Sequence, residues 1–110
     1  LPPFARLLDE LETRRTVGWH GEHASTFARY VREVAGFDER FGYGYEDKDF
    51  GRRLRDAGIR GRSIRNRLPV WHVYHDRSYA SLREIERGRS LYAASEAQGV
   101  VITPYGMSGA

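Results

Sequence analysis

A mixed α/β fold, helices with a few short strands, is what this sequence of 110 residues predicts. Apolar residues recur at helical spacing in four segments. Three short β-leaning runs lie between and after them. The length admits one folding unit, residues 1–110. Leu, Ile, Val and Phe total 24 residues, just above the roughly one-fifth level below which a charged chain tends to stay unfolded. The expected core is therefore small.

The first helix is expected from about Pro3 to Arg15, because Phe4, Leu7, Leu8 and Leu11 form an i, i+3, i+4, i+7 stripe behind two prolines. Val17 to His23, with Gly18 and Gly21, reads as a loop or a short strand. Phe27, Tyr30, Val31 and Val34 make a short second helix stopped by Gly36. Phe37 to Tyr45 is rich in glycine and aromatics and has no period, so it is a loop. Phe50, Leu54 and Ala57 predict a third helix that begins within two residues of Glu46, buries Phe50 and Leu54, and ends near Gly58. Ile59 to Ile64, Pro69 to His75 and Val100 to Tyr105 are the strand candidates, the last of them an edge strand or an ordered tail. Ser81-Leu82-Arg83-Glu84 is a capping box opening a last helix over about 81–98, with Leu82, Ile85 and Tyr92 inward.

Charge is unevenly spread. The net +3 divides into −3 over residues 1–50 and +6 over residues 51–110. Five acids lie between Asp38 and Asp49, and seven arginines between Arg52 and Arg67. Seventeen of the 18 basic residues are Arg. Guanidinium suits phosphate and carboxylate, but the ratio is read first as the mark of a GC-rich, bacterial genome. No apolar run approaches the ~18 residues of a membrane span, and the residues contain no leader pattern. The lack of cysteine excludes disulfides and thiolate metal sites and fits a reducing, cytoplasmic setting, with any membrane association supplied from elsewhere. Because the chain opens on Leu1, a piece of a longer protein is expected.

Chemistry concentrates first at Gly42-Tyr43-Gly44-Tyr45-Glu46-Asp47-Lys48-Asp49. Acids in a helix's first turn are favoured by the dipole, which alone accounts for Glu46 and Asp49. The loop before them adds something else. Glycine lets a ligand approach backbone, tyrosine offers a sugar-holding face, and a carboxylate there can serve as general base towards a hydroxyl. Asp47-Lys48-Asp49 is not read as a metal-binding D-x-D, since i and i+2 diverge on a helix and Lys48 opposes a cation. Asp49 is expected to contribute only a few tenths of a kcal/mol through the helix dipole. Val70-Trp71-His72-Val73-Tyr74-His75 is the second constellation. On a regular strand His72 and His75 face opposite ways, with Tyr74 on the His72 side, so one ion takes at most one of them. His20 and His23 read as loop histidines.

The order Gly21-Glu22-His23-Ala24-Ser25, Gly36-Phe37-Asp38-Glu39-Arg40-Phe41, Gly44-Tyr45-Glu46-Asp47, Arg53-Leu54, Gly58 and Val70-x-His72-x-Tyr74-His75 resembles the C-terminal half of inverting, metal-dependent glycosyltransferases of family two and the related galactosyltransferases. The resemblance covers residues 21–79. It implies a partial A-type glycosyltransferase fold whose nucleotide-binding half, with its D-x-D, is missing. It implies Asp47 as catalytic base, Glu46 as its acceptor-binding partner, and His72 as ligand of a Mn²⁺ or Mg²⁺ ion on the donor diphosphate. Gly42, Tyr43, Gly44 and Tyr45 would lie beneath the donor and acceptor sugars, and Arg77 in a segment folding over the nucleotide. His23 stands where the family commonly has Asn, and Tyr45 where it frequently has Gly. The implied partners are a nucleotide sugar and a glycan or other hydroxyl acceptor, and the piece alone would be inactive. A second copy of the chain is expected to cover apolar surface that the missing half would otherwise bury.

Two other readings compete. The arginine run with Trp71, Tyr74 and Tyr79 suits a single-strand nucleic-acid binder, but acids precede it and no RNP or helix-turn-helix motif occurs. A metal hydrolase built on His72, His75 and Asp47 fails on strand geometry.

Overall fold

The structure, a computed structural model, describes residues 3–15, 17–76 and 81–107. Among these residues four helices run in order: α1 (Ala5–Thr13), α2 (Ala28–Glu33), α3 (Glu46–Asp56) and α4 (Leu82–Ala97). The described residues hold no strand, so the fold is all-helical and the α/β expectation is corrected. Each candidate strand lacks a ladder, for a visible reason. At residues 59–64 and the turn after them, donors go to α1 instead: Ser63 N–H donates to Thr13 Oγ1 and Asn66 N–H to Asp9 Oδ1. Residues 70–76 expose every side chain and meet no sheet. Residues 100–107 form the ordered tail, tied to the end of α2 by Thr103 N–H to the Val34 carbonyl and Met107 N–H to that of Ala35.

Helix α1 forms where expected but faces the other way. Phe4, Leu7, Leu8 and Leu11 are exposed, while Ala5 and Asp9 on the opposite face are buried. Asp9 Oδ1 accepts from the Asn66 backbone and side-chain amides at 2.9 and 3.0 Å, and Oδ2 from Arg67 Nε at 2.7 Å. Burial pushes the Asp9 carboxyl up, but these Asn66 and Arg67 bonds outweigh it and hold the group below the usual carboxylate range.

Helix α2 closes with the paired bonds of a Schellman turn: Ala35 N–H to the Arg32 carbonyl and Gly36 N–H to that of Val31. Ala35 sits there at φ 63°, a left-handed conformation usually left to glycine. The core is as small as composition implies. Val34, Phe50 and Leu54 are its buried centre, with Trp19, Tyr30, Val31, Ile59 and Val101 packed around. Phe37 stacks on Phe50 at 4.3 Å, and Trp19 meets the same ring edge-on at 4.9 Å.

Helix α4 starts as the capping box requires, with Ser81 Oγ accepting from Glu84 N–H. The return half of the box is missing because Glu84 turns to the 42–45 loop. Ile85 and Tyr92 are half-buried, but Leu82 is exposed, against expectation. No helix among the described residues is long and apolar enough to cross a membrane.

Candidate functional site at the start of α3

Helix α3 spans the predicted residues and buries Phe50 and Leu54. Its N-terminus is built by three elements. The first is the preceding loop, clamped onto α4: Glu84 Oε1 accepts from Tyr43 N–H at 3.0 Å, and a Cβ on Gly42 would run into the Glu84 carboxylate. Gly88, in the middle of α4, is buried against the Gly44 carbonyl, where a Cβ would approach to 2.6 Å. The second is the cap itself. Gly44 at φ 108° and Tyr45 at φ 70° turn the chain into the helix, and Gly44 N–H donates to Glu46 Oε2 at 2.7 Å. A left-handed φ at Tyr45 is one that glycine adopts without strain. Tyr45 compensates with its ring, which lies 5.8 Å from that of Tyr92 while Lys48 Nζ sits over both.

The third element is the segment at residues 17–23. Gly51 lies on the Trp19 backbone so closely that a Cβ would come within 2.8 Å of it. That contact seats α3 beside the turn closed by His23 N–H and the His20 carbonyl. From this turn Gly21 N–H donates to Asp47 Oδ2 at 3.2 Å. The structure thus joins Gly42, Tyr43, Gly44, Tyr45, Glu46 and Asp47 to the segment carrying His23. The His23 side chain itself is exposed.

The carboxylates of this helix start have separate roles. Asp47 is half-buried, and its Oδ1 accepts from Lys48 N–H at 2.8 Å. Among the described residues no basic side chain pairs with it. A carboxylate has about four lone-pair sites, and two N–H groups leave room for a hydroxyl. Asp49 points inward and is fully buried, which corrects the minor role expected for it. Its Oδ2 accepts from Arg53 Nε at 2.8 Å, and its Oδ1 lies 3.5 Å from Arg52 Nη2. Arg53, also fully buried, donates on to the carbonyls of Val34 and Gly36 at 2.7 and 2.8 Å, so α3 is pinned to the end of α2. Arg52 reaches Asp56, Ser95 and the Val100 carbonyl.

Asp38 in Gly36-Phe37-Asp38-Glu39 supports the same region. It accepts twice from the Arg40 side chain and once from Thr103 Oγ1. Burial raises its carboxyl, yet Arg40 and Thr103 together hold it below the usual range.

Of the seven arginines between Arg52 and Arg67, Arg52, Arg53, Arg65 and Arg67 have acidic partners within the chain. Arg55, Arg60, Arg62 and Arg65 of the run are exposed. His72 is not brought to the helix start: no hydrogen bond, ion pair or ring contact joins it to Glu46 or Asp47. Nor does it face away from His75. The two Nε2 atoms lie 3.3 Å apart. Among the described residues no three His, Asp or Glu converge as a metal set. Arg77 lies outside the described residues.

Sequence reasoning missed Glu84, Gly88, Gly51 and the Asp49–Arg53 pair. Glycines inside two helical patterns mark close approach, and Asp49 and Arg53 stand at i, i+4. Compared with protein-family models, curated proteins and solved structures, the chain matches none.

Proposed function

We propose that this chain is the acceptor-side part of an inverting glycosyltransferase, with Asp47 as general base. One observation carries the reading: Asp47 is held by a single long-range amide bond, from Gly21, behind a glycine–tyrosine loop, while the neighbouring Asp49 is consumed by buried arginines. The acceptor hydroxyl gives its proton to Asp47 as its oxygen attacks the anomeric carbon of the donor. The bond to the nucleoside diphosphate breaks, and the anomeric configuration inverts. Glu46, already bonded to Gly44 N–H, keeps its second oxygen for an acceptor hydroxyl. Tyr43 and Tyr45 border the two carboxylates as aromatic neighbours of the sugars, while the space at Gly42 and Gly44 is taken by α4.

The exposed nitrogen donors at His72 suit Mn²⁺ better than Mg²⁺, which prefers oxygen ligands. His72 would hold the ion, and such an ion neutralises charge on the departing diphosphate. The test is a transfer assay on the longer protein with a panel of nucleoside diphosphate sugars and hydroxyl acceptors. Product of inverted anomeric configuration is expected. Product of retained configuration, or no transfer from any donor, would overturn the reading.

A further inference from the structure

We propose that residues 68–74, with the arginines before them, dock this chain on an anionic phospholipid surface. The run holds the two most exposed large apolar side chains among the described residues, Tyr74 at 94% and Trp71 at 92%, with Val73 at 81% between them. Leu68 and Val70 extend the patch and are exposed as well. A contiguous apolar surface of this kind marks an interaction site. Its base is fixed. Arg67 and Leu68 N–H both donate to the Ile64 carbonyl, and Asn66 and Arg67 are fastened to Asp9 of α1. Beyond Pro69, no hydrogen bond joins the backbone of residues 70–74 to any other described residue.

Charge complementarity names the partner. Residues 60–76 carry four arginines against Asp76, a formal charge of +3 with neutral histidines. Arg67 is spent on Asp9, and Arg65 reaches Glu12 only at 3.9 Å. Arg60 and Arg62 are exposed and, among the described residues, pair with no acid. Arginines beside Trp71 and Tyr74 also suit a single nucleic-acid strand, but the aliphatic residues decide between the two. Leu68, Val70 and Val73 offer no π face to a base, whereas their burial at a lipid boundary is favourable. Trp and Tyr settle at headgroup level, and guanidinium groups meet the lipid phosphates. The unbonded backbone of 70–74 sets the depth. Its amides are too costly to carry into hydrocarbon, so the run lies among the headgroups, where phosphate and water accept from them. No residue of the α3 start takes part, and the inference stands apart from the transferase reading.

The experiment is co-sedimentation of the chain with vesicles of phosphatidylcholine containing about a quarter phosphatidylserine. Vesicles of phosphatidylcholine alone and an oligothymidylate strand are the comparisons. Tryptophan emission gives a second readout, because Trp19 is packed against Phe50 while Trp71 is open. The chain should bind the anionic vesicles at least about fivefold more tightly than the neutral ones. Its emission should move to the blue, and Trp71→Phe should abolish that move. Trp71→Ala with Tyr74→Ala, and separately Arg60→Gln with Arg62→Gln, should each weaken binding by about tenfold. Leu7→Glu with Leu11→Glu, on the apolar face of α1, should leave it as it is. Circular dichroism checks that each variant keeps the parent's helices, as expected for exposed residues. Equal binding to both vesicle types, an emission unchanged by vesicles, or binding lost only in the α1 variant would overturn the proposal. So would stronger retention on oligothymidylate than on the anionic vesicles.

Discussion

Asp47 and Asp49 are separated by one residue and by about 200° around the helix, and that angle decides what each does. The outward carboxylate meets two backbone amides and open surface. The inward one meets Arg53 and Arg52 where water is excluded. Neutralising Asp49 strands a guanidinium that has no route to solvent, so Asp49→Asn should destabilise the chain by about 3–5 kcal/mol, the usual cost of breaking a buried pair. Urea unfolding followed by circular dichroism measures it; a change under 1 kcal/mol would return Asp49 to the dipole role that sequence alone suggests. Asp9 bears on acid stability. Its folded carboxyl titrates below its unfolded value of 3.8, so between the two values the unfolded chain binds the extra proton. The stabilisation is complete above about pH 4 and disappears as pH falls through the folded value. Asp38 shifts the same way and adds to that slope. Asp9→Asn should lower stability at pH 7 and flatten the acid limb of a stability–pH curve. An unchanged acid limb would show that the Asn66 and Arg67 bonds add nothing.

Among the elements, α3 is the one whose place depends most on a missing side chain. Gly51 lies against the backbone of Trp19. Replacing it with Ala improves helix propensity by about 1 kcal/mol, yet the added Cβ forces α3 off the 17–23 segment at a cost of about 1–3 kcal/mol. Gly51→Ala is therefore expected to lower the melting temperature; a rise would mean that the contact is loose and that Gly21 is not held to Asp47 by packing. All four helices were legible because a 3.6-residue period is a local property, and Gly36, Gly58 and Gly99, each at positive φ, mark the ends of α2, α3 and α4. The strands were not legible as absent. A short apolar run becomes a strand only when a partner accepts its amides, and here Thr13, Asp9 and the carbonyls of Val34 and Ala35 take that part. The histidine geometry went astray for the same reason, since alternation belongs to a ladder and residues 70–76 have none. The carboxylate start of α3 was visible from composition, but its clamp by Glu84 and Gly88 required knowing that α4 crosses the loop.

The molecule as a whole keeps much of its apolar surface outside. Phe4, Leu7, Leu8 and Leu11 line one face of α1, and Trp71, Val73 and Tyr74 are almost wholly exposed. The radius of gyration, 15.4 Å, exceeds the ~13 Å of a tightly packed chain of this length. An apolar stripe at positions 4, 7, 8 and 11 maps onto itself when two copies of α1 lie antiparallel, so self-association is expected. Sedimentation velocity should show a dimer that grows with concentration and is lost in Leu7→Glu with Leu11→Glu; a parent chain that stays monomeric throughout would refute it. Whether Asp47 does chemistry while Asp49 holds the fold is decided by transfer turnover with the Asp47→Asn exchange, measured beside its melting temperature. The rate should fall by about 10²–10⁴ with melting unchanged. Full turnover in the Asp47→Asn protein would contradict it.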